Sequence, residues 1–250
     1  MLYSPLLSFV RLILLIFWAS ISSTSQFFFH FVLRKDFFFF YKIFFKGLTY
    51  IFGIKVNIEG TPQKQNALFV CNHISYLDIL ILGSNLNGIF VAKSEISKWP
   101  IINKLCKLGR TIFVDRNNFF KVKDQVKLIS DRLDKGLSVI LFPEGTSSDG
   151  SKVLPFKSSL MGIIESKKEK NYKVQPVSIS YSKLDGMPVE LKFRPFFAWF
   201  GNMNLVSHAW KFLGLGLSEV KIHFHKPRRF SDFSGRKEAA NYCHEILSLQ

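Results

Sequence analysis

Short apolar runs and polar breaks alternate along the chain after residue 54. Seven of these runs are rich in β-branched and aromatic residues, and turn residues bound them, a pattern that predicts strands. They span Lys55–Ile58, Ala67–Cys71, Ile89–Lys93, Thr111–Asp115, Ser138–Phe142, Val174–Ser180 and Val220–Phe224.

Most of the segments between these runs carry apolar residues at helical spacing. The clearest stripe is Val122, Val126, Ile129 and Leu133, at positions i, i+4, i+7 and i+11. The predicted helices are Tyr76–Leu82, Ile101–Leu108, Phe119–Lys135, Lys157–Lys168 and a closing helix over Ser234–Leu249. Strands that alternate with helices predict an α/β domain whose sheet is mainly parallel and is flanked by helices.

The first 53 residues follow a different pattern, which predicts an N-terminal hydrophobic helical anchor. Two apolar segments, Leu6–Ala19 and Phe27–Phe45, flank the polar stretch Ser20–Gln26. We expect two short helices with a turn at the polar stretch. The second segment mixes Lys and Arg with many Phe residues, which is typical of a helix at the membrane interface. Residues 1–53 are therefore predicted to be a membrane anchor and residues 54–250 a folded domain.

A retained anchor is favoured over a cleaved signal peptide. The first ten residues carry no basic side chain, Arg11 interrupts the apolar region, and the segment that follows stays hydrophobic. The stretch Leu12–Leu33 has no formal charge and could cross a bilayer core of about 30 Å. A single span and a position within one leaflet both stay open.

Composition agrees with a protein that works at an anionic membrane. The chain has 250 residues, enough for one sizeable domain with an anchor, and its formal net charge is +16. Nucleic acid is disfavoured as a partner because no known nucleic-acid motif appears and Phe is concentrated near the N-terminus. Lys and Arg beside a hydrophobic segment favour anionic lipid. The three Cys residues are too scattered for a disulfide framework or a metal site, which favours the reducing cytoplasmic face of the membrane.

Candidate chemistry begins at the end of the run Ala67–Cys71. His73 follows it closely, and Asp78 lies five residues after His73. A carboxylate can hold one ring nitrogen of an imidazole and leave the other to deprotonate a hydroxyl. The alternative is structural, because Ser75-x-x-Asp78 also fits a capping box at a helix start. Cys71, inside an apolar run, is interpreted as a core residue rather than a nucleophile.

Three further motifs follow in a fixed order: GRTIFVDR at Gly109–Arg116, VILFPEGT at Val139–Thr146 and VQPVSI at Val174–Ile179. Together with the His-x4-Asp pair they resemble the glycerolipid acyltransferases, and most closely the 1-acyl-glycerol-3-phosphate (lysophosphatidate) acyltransferases. The resemblance covers roughly residues 55–226. It implies that a thioester, acyl-CoA or acyl carrier protein, donates a fatty acyl group to the sn-2 hydroxyl of 1-acyl-glycerol-3-phosphate, giving phosphatidic acid.

The resemblance also implies roles for the catalytic pair. His73 would be the general base for direct attack by the acceptor hydroxyl, without an acyl-enzyme, and Asp78 would orient the imidazole and stabilise its protonated form. No cofactor and no metal is expected beyond the thioester co-substrate.

The acceptor site is implied by the next two motifs. Arg116 is expected to bind the acceptor phosphate because a guanidinium matches phosphate with a charged fork, and Asp115 beside it is expected to belong to the same substrate-binding site. Glu144, Gly145 and Thr146 would line the same site. A carboxylate repels phosphate, so Glu144 is expected to bond Arg116 or another donor.

One departure leaves the acceptor open. Many lysophosphatidate acyltransferases continue FPEGT with Arg, whereas this chain has Ser147–Gly150. Lys93, Arg110 or Lys157 could supply the missing charge, so lysophosphatidate stays the favoured acceptor. The alternative is another lyso-lipid such as lyso-ornithine lipid, because similar segments occur in its acyltransferases. A non-catalytic membrane scaffold is the alternative of another class, and the intact His-Asp pair argues against it.

Overall fold

The computed structural model describes residues 3–29, 37–115 and 122–249. Its α-helices are α1 Pro5–Phe27, α2 Phe37–Ile51, α3 Leu77–Asn85, α4 Pro100–Leu108, α5 Val122–Asp134, α6 Ile163–Ser166, α7 Arg194–Phe197, α8 Leu205–Leu213 and α9 Arg236–Ser248. Its strands are β1 Ile54–Gly60, β2 Ala67–Cys71, β3 Gly88–Lys93, β4 Ile112–Val114, β5 Ser138–Leu141, β6 Lys173–Leu184, β7 Met187–Pro188, β8 Ser218–Phe224 and β9 Arg228–Arg229.

The strands form one mixed sheet in the order β1-β8-β6-β2-β5-β3-β4. From β6 to β4 every neighbouring pair is parallel. Strand β8 pairs with β6 in an antiparallel direction, and β1 pairs with β8 in parallel. The predicted α/β fold with a mainly parallel sheet and flanking helices is confirmed. The carboxyl ends of β2, β5 and β6 lie side by side, so the residues that follow them meet at one edge.

Each predicted strand overlaps a strand of the structure, and four predicted helices correspond to α3, α4, α5 and α9. The first residues of the predicted helix Phe119–Lys135 lie outside the described residues. The predicted helix Lys157–Lys168 is wrong in its extent: a 3-10 turn over Ser158–Gly162 precedes the short α6. Gly162 interrupts the segment, and glycine costs about 1 kcal/mol in a helix interior. The sequence analysis missed α7 and α8.

The predicted turn at Ser20–Gln26 is also wrong, because α1 runs through it without a break. The hydroxyl of Ser20 donates to the carbonyl of Ile16 (2.8 Å), and that of Thr24 donates to the carbonyl of Ser20 (2.9 Å). These bonds to the preceding turn satisfy polar side chains within the helix itself. Polarity alone was therefore a poor indicator of a helix end here.

Polar contacts fasten α1 to the rest of the fold. Arg11 Nη1 donates to the carbonyls of Leu213 (3.1 Å) and Leu215 (2.6 Å), at the carboxyl end of α8. Trp18 Nε1 donates to the carbonyl of Phe44 in α2 (2.9 Å). Residues of α2 are in turn buried in the core above the sheet. The division of the chain at residue 53 into anchor and catalytic domain stays a prediction.

The sheet is covered on both faces. Phe69 and Cys71 of β2 point into a core shared with α2, α3, α7 and α8, while Leu68 and Val70 point into a core shared with α5, α6 and α9. A strand buried on both faces needs apolar residues at every position, which is why the sequence of β2 is a continuous apolar run.

Helix α1 has one packed face and one exposed apolar face. Leu12 and Leu15 pack against the core, whereas Phe9, Ile13 and Phe17 are more than half exposed. With a mean hydropathy of 2.0 over its most apolar window, α1 is long and apolar enough to cross a membrane. The exposed face offers a large apolar area to lipid.

Replacing Phe9, Ile13 and Phe17 together by Gln should weaken binding to phospholipid vesicles by at least about 100-fold. Each exposed side chain contributes about 1.5–3 kcal/mol when lipid buries it. The melting temperature should change little because these side chains make few contacts within the protein.

Sedimentation with vesicles measures the binding, and Leu15→Gln is the matched control. That variant alters the packed face of the same helix, so it should lower the melting temperature and leave vesicle binding largely intact. Undiminished vesicle binding of the triple variant in high salt would show that another surface anchors the protein.

Candidate active site

The site begins where β2 ends. The side chain of Asn72 donates to the carbonyl of Ile179 (3.0 Å) and accepts from its N–H (2.8 Å). These two bonds continue the ladder between β2 and β6 past its last backbone pair. They fix the start of the His73 loop, which we define as residues 72–76. The sequence analysis assigned no role to Asn72.

His73 and Asp78 are in direct contact. Nδ1 of His73 lies 2.9 Å from Oδ2 of Asp78, and the imidazole stacks on Phe142 with ring centroids 4.1 Å apart. The carboxylate is fully buried, while 18% of the His73 side chain is exposed. With Nδ1 occupied by the acid, Nε2 is left to accept a proton.

Asp78 also holds the backbone of the His73 loop. Oδ2 accepts the N–H groups of Ile74 (2.7 Å) and Ser75 (2.8 Å). The bond from Ser75 is one half of the capping box considered above. The other half is absent among the described residues, where Ser75 Oγ is buried without a hydrogen-bond partner. One carboxylate thus serves both the structural and the proposed catalytic role.

Tyr181 of β6 completes the environment of Asp78. Its hydroxyl donates to Oδ1 (2.7 Å), so both carboxylate oxygens are bonded. Burial chiefly, and then the charge of Asp78, raise the pKa of Tyr181 well above its usual value, which keeps the phenol a donor. The sequence analysis missed this residue. It lies just beyond the VQPVSI motif, and only strand pairing brings it to Asp78.

Glu144 supports the His73 loop from β5. Its Oε1 accepts the N–H of His73 (2.6 Å), and its Oε2 accepts the N–H of Leu154 (2.9 Å). The sequence analysis expected Glu144 to bond Arg116 or another donor. The donors in the structure are of the latter kind, the backbone N–H groups of His73 and Leu154. Burial raises the pKa of Glu144 to about 7, although both N–H bonds favour the charged form.

Gly145 turns the chain from Glu144 toward His73. Its φ of +78° lies in the left-handed region that only glycine adopts without strain. Beyond it, the N–H of Ser148 donates to the carbonyl of His73 (2.9 Å) and the buried hydroxyl of Ser147 donates to the carbonyl of Trp199. The N–H of Trp199 in turn donates to the carbonyl of Ile74 (3.0 Å). We call these three linked segments, residues 72–76, 144–148 and 197–200, the site wall.

An apolar cavity of about 410 Å³ opens on one side of the site wall. It runs from His73, Gly145 and Thr146 between α2, α3 and α4 to Ser23 and Gln26 of α1. Side chains such as Phe44, Leu80, Phe90, Ile102 and Leu105 line it, and Lys93 contributes a cation. Its size and lining suit an alkyl chain whose end lies next to the imidazole.

Asp115 is placed apart from these residues. It follows β4, and its carbonyl accepts a bond from the side chain of Gln125 (3.0 Å). Three strand spacings separate β4 from β2, roughly 14 Å. Arg116, the expected phosphate ligand, lies outside the described residues. The structure therefore groups His73, Asp78 and the 144–146 segment.

Comparison with known proteins identifies the family. An acyltransferase family model matches residues 53–180. The lyso-ornithine lipid O-acyltransferase of Rhizobium meliloti is 37% identical over 195 residues, which cover 76% of this chain and 67% of the relative. This chain belongs to the acyltransferase family. The resemblance seen in the motifs is confirmed.

Other relatives of this acyltransferase carry two kinds of name. The lyso-ornithine lipid O-acyltransferase of Brucella abortus is 36% identical, covering 76% of this chain and 73% of the relative. The 1-acyl-sn-glycerol-3-phosphate acyltransferase of Neisseria gonorrhoeae is 27% identical, covering 69% and 64%. The crystal structure of the lysophosphatidate acyltransferase PlsC from Thermotoga maritima shares the fold, with a TM-score of 0.66 and 24% identity over 97% of this chain and 95% of that one.

Tyr181→Phe should lower kcat about 3- to 30-fold and leave KM unchanged, because it removes one bond to a buried carboxylate while keeping the ring. In the Asp78→Asn background the same change should have little further effect, so the two losses should be non-additive in a double-mutant cycle. Steady-state kinetics of the four proteins measure this.

Tyr172→Phe is the matched control, because it also removes a Tyr–Asp bond, to Asp134, away from the site. It should lower stability and leave kcat unchanged. Additive losses in the cycle would contradict a positioning role for Tyr181 and indicate a general structural one.

Glu144 should make stability depend on pH. Because its folded pKa is raised from 4.5 to about 7, the folded state binds this proton more tightly than the unfolded state. Its protonation stabilises fully below about pH 4.5, and this contribution, on the order of 1–3 kcal/mol, is lost as the pH rises through 7. Glu144→Gln should flatten that part of the curve. Urea unfolding between pH 4.5 and 8 measures it.

Glu165→Gln, at an exposed glutamate, is the control and should keep the pH dependence of the wild-type protein. An unchanged slope in Glu144→Gln would mean that Glu144 remains ionised over this range.

Proposed function

We propose that this acyltransferase moves a fatty acyl group from a thioester to the hydroxyl of a lyso-lipid by direct attack. The observation that supports it most is the contact between His73 and Asp78 at the mouth of the apolar cavity. Nε2 takes the hydroxyl proton as the oxygen bonds to the thioester carbonyl carbon. The tetrahedral intermediate then expels the thiolate, and the imidazolium returns the proton to sulfur. The products are an ester and a thiol, with no acyl-enzyme.

Asp78 would assist by stabilising the imidazolium and holding its plane. Four donors compensate for the burial of this carboxylate, so it need not move during the reaction. Among the residues that the structure describes, the hydroxyl of Thr146 makes one long contact, 3.5 Å, to the carbonyl of Ser147. It can therefore turn toward a substrate oxygen in the cavity.

For the acceptor we propose lyso-ornithine lipid, whose head group carries a carboxylate and an ammonium. Relatives of that name match this chain at 32–37% identity. Where many lysophosphatidate acyltransferases have Arg, Ser147 is buried and bonded to Trp199. A phosphate dianion needs several cationic donors, whereas a zwitterion needs fewer.

Lysophosphatidate is the second candidate acceptor. Lys93 lines the apolar cavity that His73 also lines, and so offers a cation to a phosphate there. The Asp115–Arg116 motif is complete in sequence. Either acceptor leaves the chemistry of His73 unchanged.

We further propose that the enzyme works on the cytoplasmic face of the membrane, with α1 against anionic lipid. Ser23 and Gln26 of α1 line the far end of the apolar cavity. An acyl chain that fills the cavity would therefore extend from His73 to the membrane helix. Acyl-CoA and acyl carrier protein are both suitable donors, since each presents the same thioester.

Incubation of the purified protein with a labelled acyl thioester and a panel of lyso-lipids tests the proposal. We expect kcat/KM for lyso-ornithine lipid to exceed that for lysophosphatidate at least about tenfold, a difference of 1.4 kcal/mol. His73→Ala should lower both by about 100- to 10,000-fold and leave the protein folded and membrane-bound, with a lower melting temperature because Asp78 loses one of its four donors.

The other outcomes discriminate between the alternatives. A reversed preference would make lysophosphatidate the acceptor. Substantial turnover by His73→Ala would remove His73 from its role. An absence of turnover with every donor and acceptor would favour the non-catalytic scaffold.

A further inference from the structure

A second cavity, of about 590 Å³, lies on the other side of the site wall. Asn72, Ile74, Glu144 and Tyr181, which hold or adjoin the catalytic pair, line it. It differs in chemistry from the apolar cavity, because hydroxyl and charged side chains make up much of its lining. We call it the polar cavity.

The charges around the polar cavity are unequally satisfied. Lys221 is paired with Glu59 at 2.8 Å, and Asp149 accepts the N–H and hydroxyl of Ser151. The charges of Arg194 and Lys152 add to the Ser151 hydrogen bonds in lowering the pKa of Asp149. Arg194 nevertheless has one buried nitrogen, Nη1, without a hydrogen-bond partner among the residues that the structure describes.

A buried guanidinium N–H without a partner is costly, and rotation of the half-buried Arg194 side chain would offer it to an oxyanion in the cavity. Lys152, exposed at the rim, adds a second cation. The hydroxyls of Ser148 and Ser180 add neutral donors to the same lining. The cavity therefore has the composition of a site for a phosphate or a carboxylate.

The two cavities meet along the site wall. Neighbours in sequence line opposite sides: His73 and Ile74, Ser147 and Ser148, Trp199 and Ala198. A ligand anchored in the polar cavity therefore contacts the His73 loop at residues next to His73 in sequence. A flexible arm that crosses the rim of the wall would reach the mouth of the apolar cavity.

We infer that the polar cavity binds the phosphate of the phosphopantetheine arm of the thioester donor, with Arg194 as its main ligand. The inference rests on the proposed function. With a zwitterionic acceptor of no net charge, that phosphate is the anionic group common to acyl-CoA and acyl carrier protein. The sulfur at the other end of the arm is delivered to His73, while the acyl chain enters the apolar cavity.

Arg194→Gln tests this assignment. The KM for acyl-CoA should rise about 10- to 100-fold, the loss expected for a charged hydrogen bond, with the KM of the lyso-lipid and kcat little changed. An acyl-pantetheine donor, which lacks the phosphate, should show the same KM with the wild-type protein and the variant. Lys192→Gln is the control, because Lys192 is an exposed cation paired with Glu190 two residues from Arg194.

Calorimetric titration with free CoA separates this question from turnover. CoA affinity should fall about 10- to 100-fold in Arg194→Gln and stay unchanged in Lys192→Gln. This fall in CoA affinity would support the assignment even if no lyso-lipid were acylated. A lack of acylation would contradict only the proposed function. If Arg194→Gln fails to fold, Lys152→Gln replaces it, with an expected loss of a few-fold.

Three results would overturn the assignment. The first is unchanged CoA affinity in the cavity variants. The second is an equal rise in KM for acyl-CoA and acyl-pantetheine, which would make Arg194 a structural residue. The third is a rise in the KM of the lyso-lipid alone, which would show that the polar cavity binds the acceptor head group.

Discussion

The burial of the Asp78 carboxylate is the constraint on which the site depends. A buried charge is tolerated only with a full set of donors, and here they come from three places. The His73 side chain, the backbone of the loop that follows it and Tyr181 of β6 all bond the same group. The position of the imidazole is therefore tied to the pairing of β2 with β6. A slip of that register would separate Tyr181 from Asp78 and leave the charge undercompensated.

Glu144 also bonds the loop after β2, and it does so from β5, which flanks β2 on the side away from β6. It is 3% exposed, follows β5, and bonds the N–H of His73. The loop after β2 is thus held by two carboxylates, that of Asp78 at the start of α3 and that of Glu144 after β5. Parallel strands that end at one edge make this possible, because their following residues converge there. The raised pKa of Glu144 reflects chiefly the burial of its carboxyl, with a smaller contribution from the nearby charge of Asp78.

Helix α1 and the candidate active site share a cavity. Helix α1 presents one apolar face outward, while its Ser23 and Gln26 line the end of the cavity that begins at His73. Arg11 and Trp18 fasten the helix to α8 and α2 through backbone carbonyls. A shift of α1 would therefore alter the far end of the cavity.

The sequence alone determined the sheet, the apolar character of α1 and the grouping of His73 with Asp78, because these depend on local periodicity and short spacing. The family resemblance assigned Glu144 to the acceptor site, and the structure places it beside His73, since strand ends converge in a parallel sheet. The sequence analysis could not find Tyr181 or Asn72, because partners more than 100 residues apart meet only through strand pairing. It also misjudged Ser20–Gln26, where hydroxyls bond the helix that contains them. Tertiary structure decided the roles of Tyr181 and Asn72, because long-range contacts, rather than local pattern, satisfy buried polar groups.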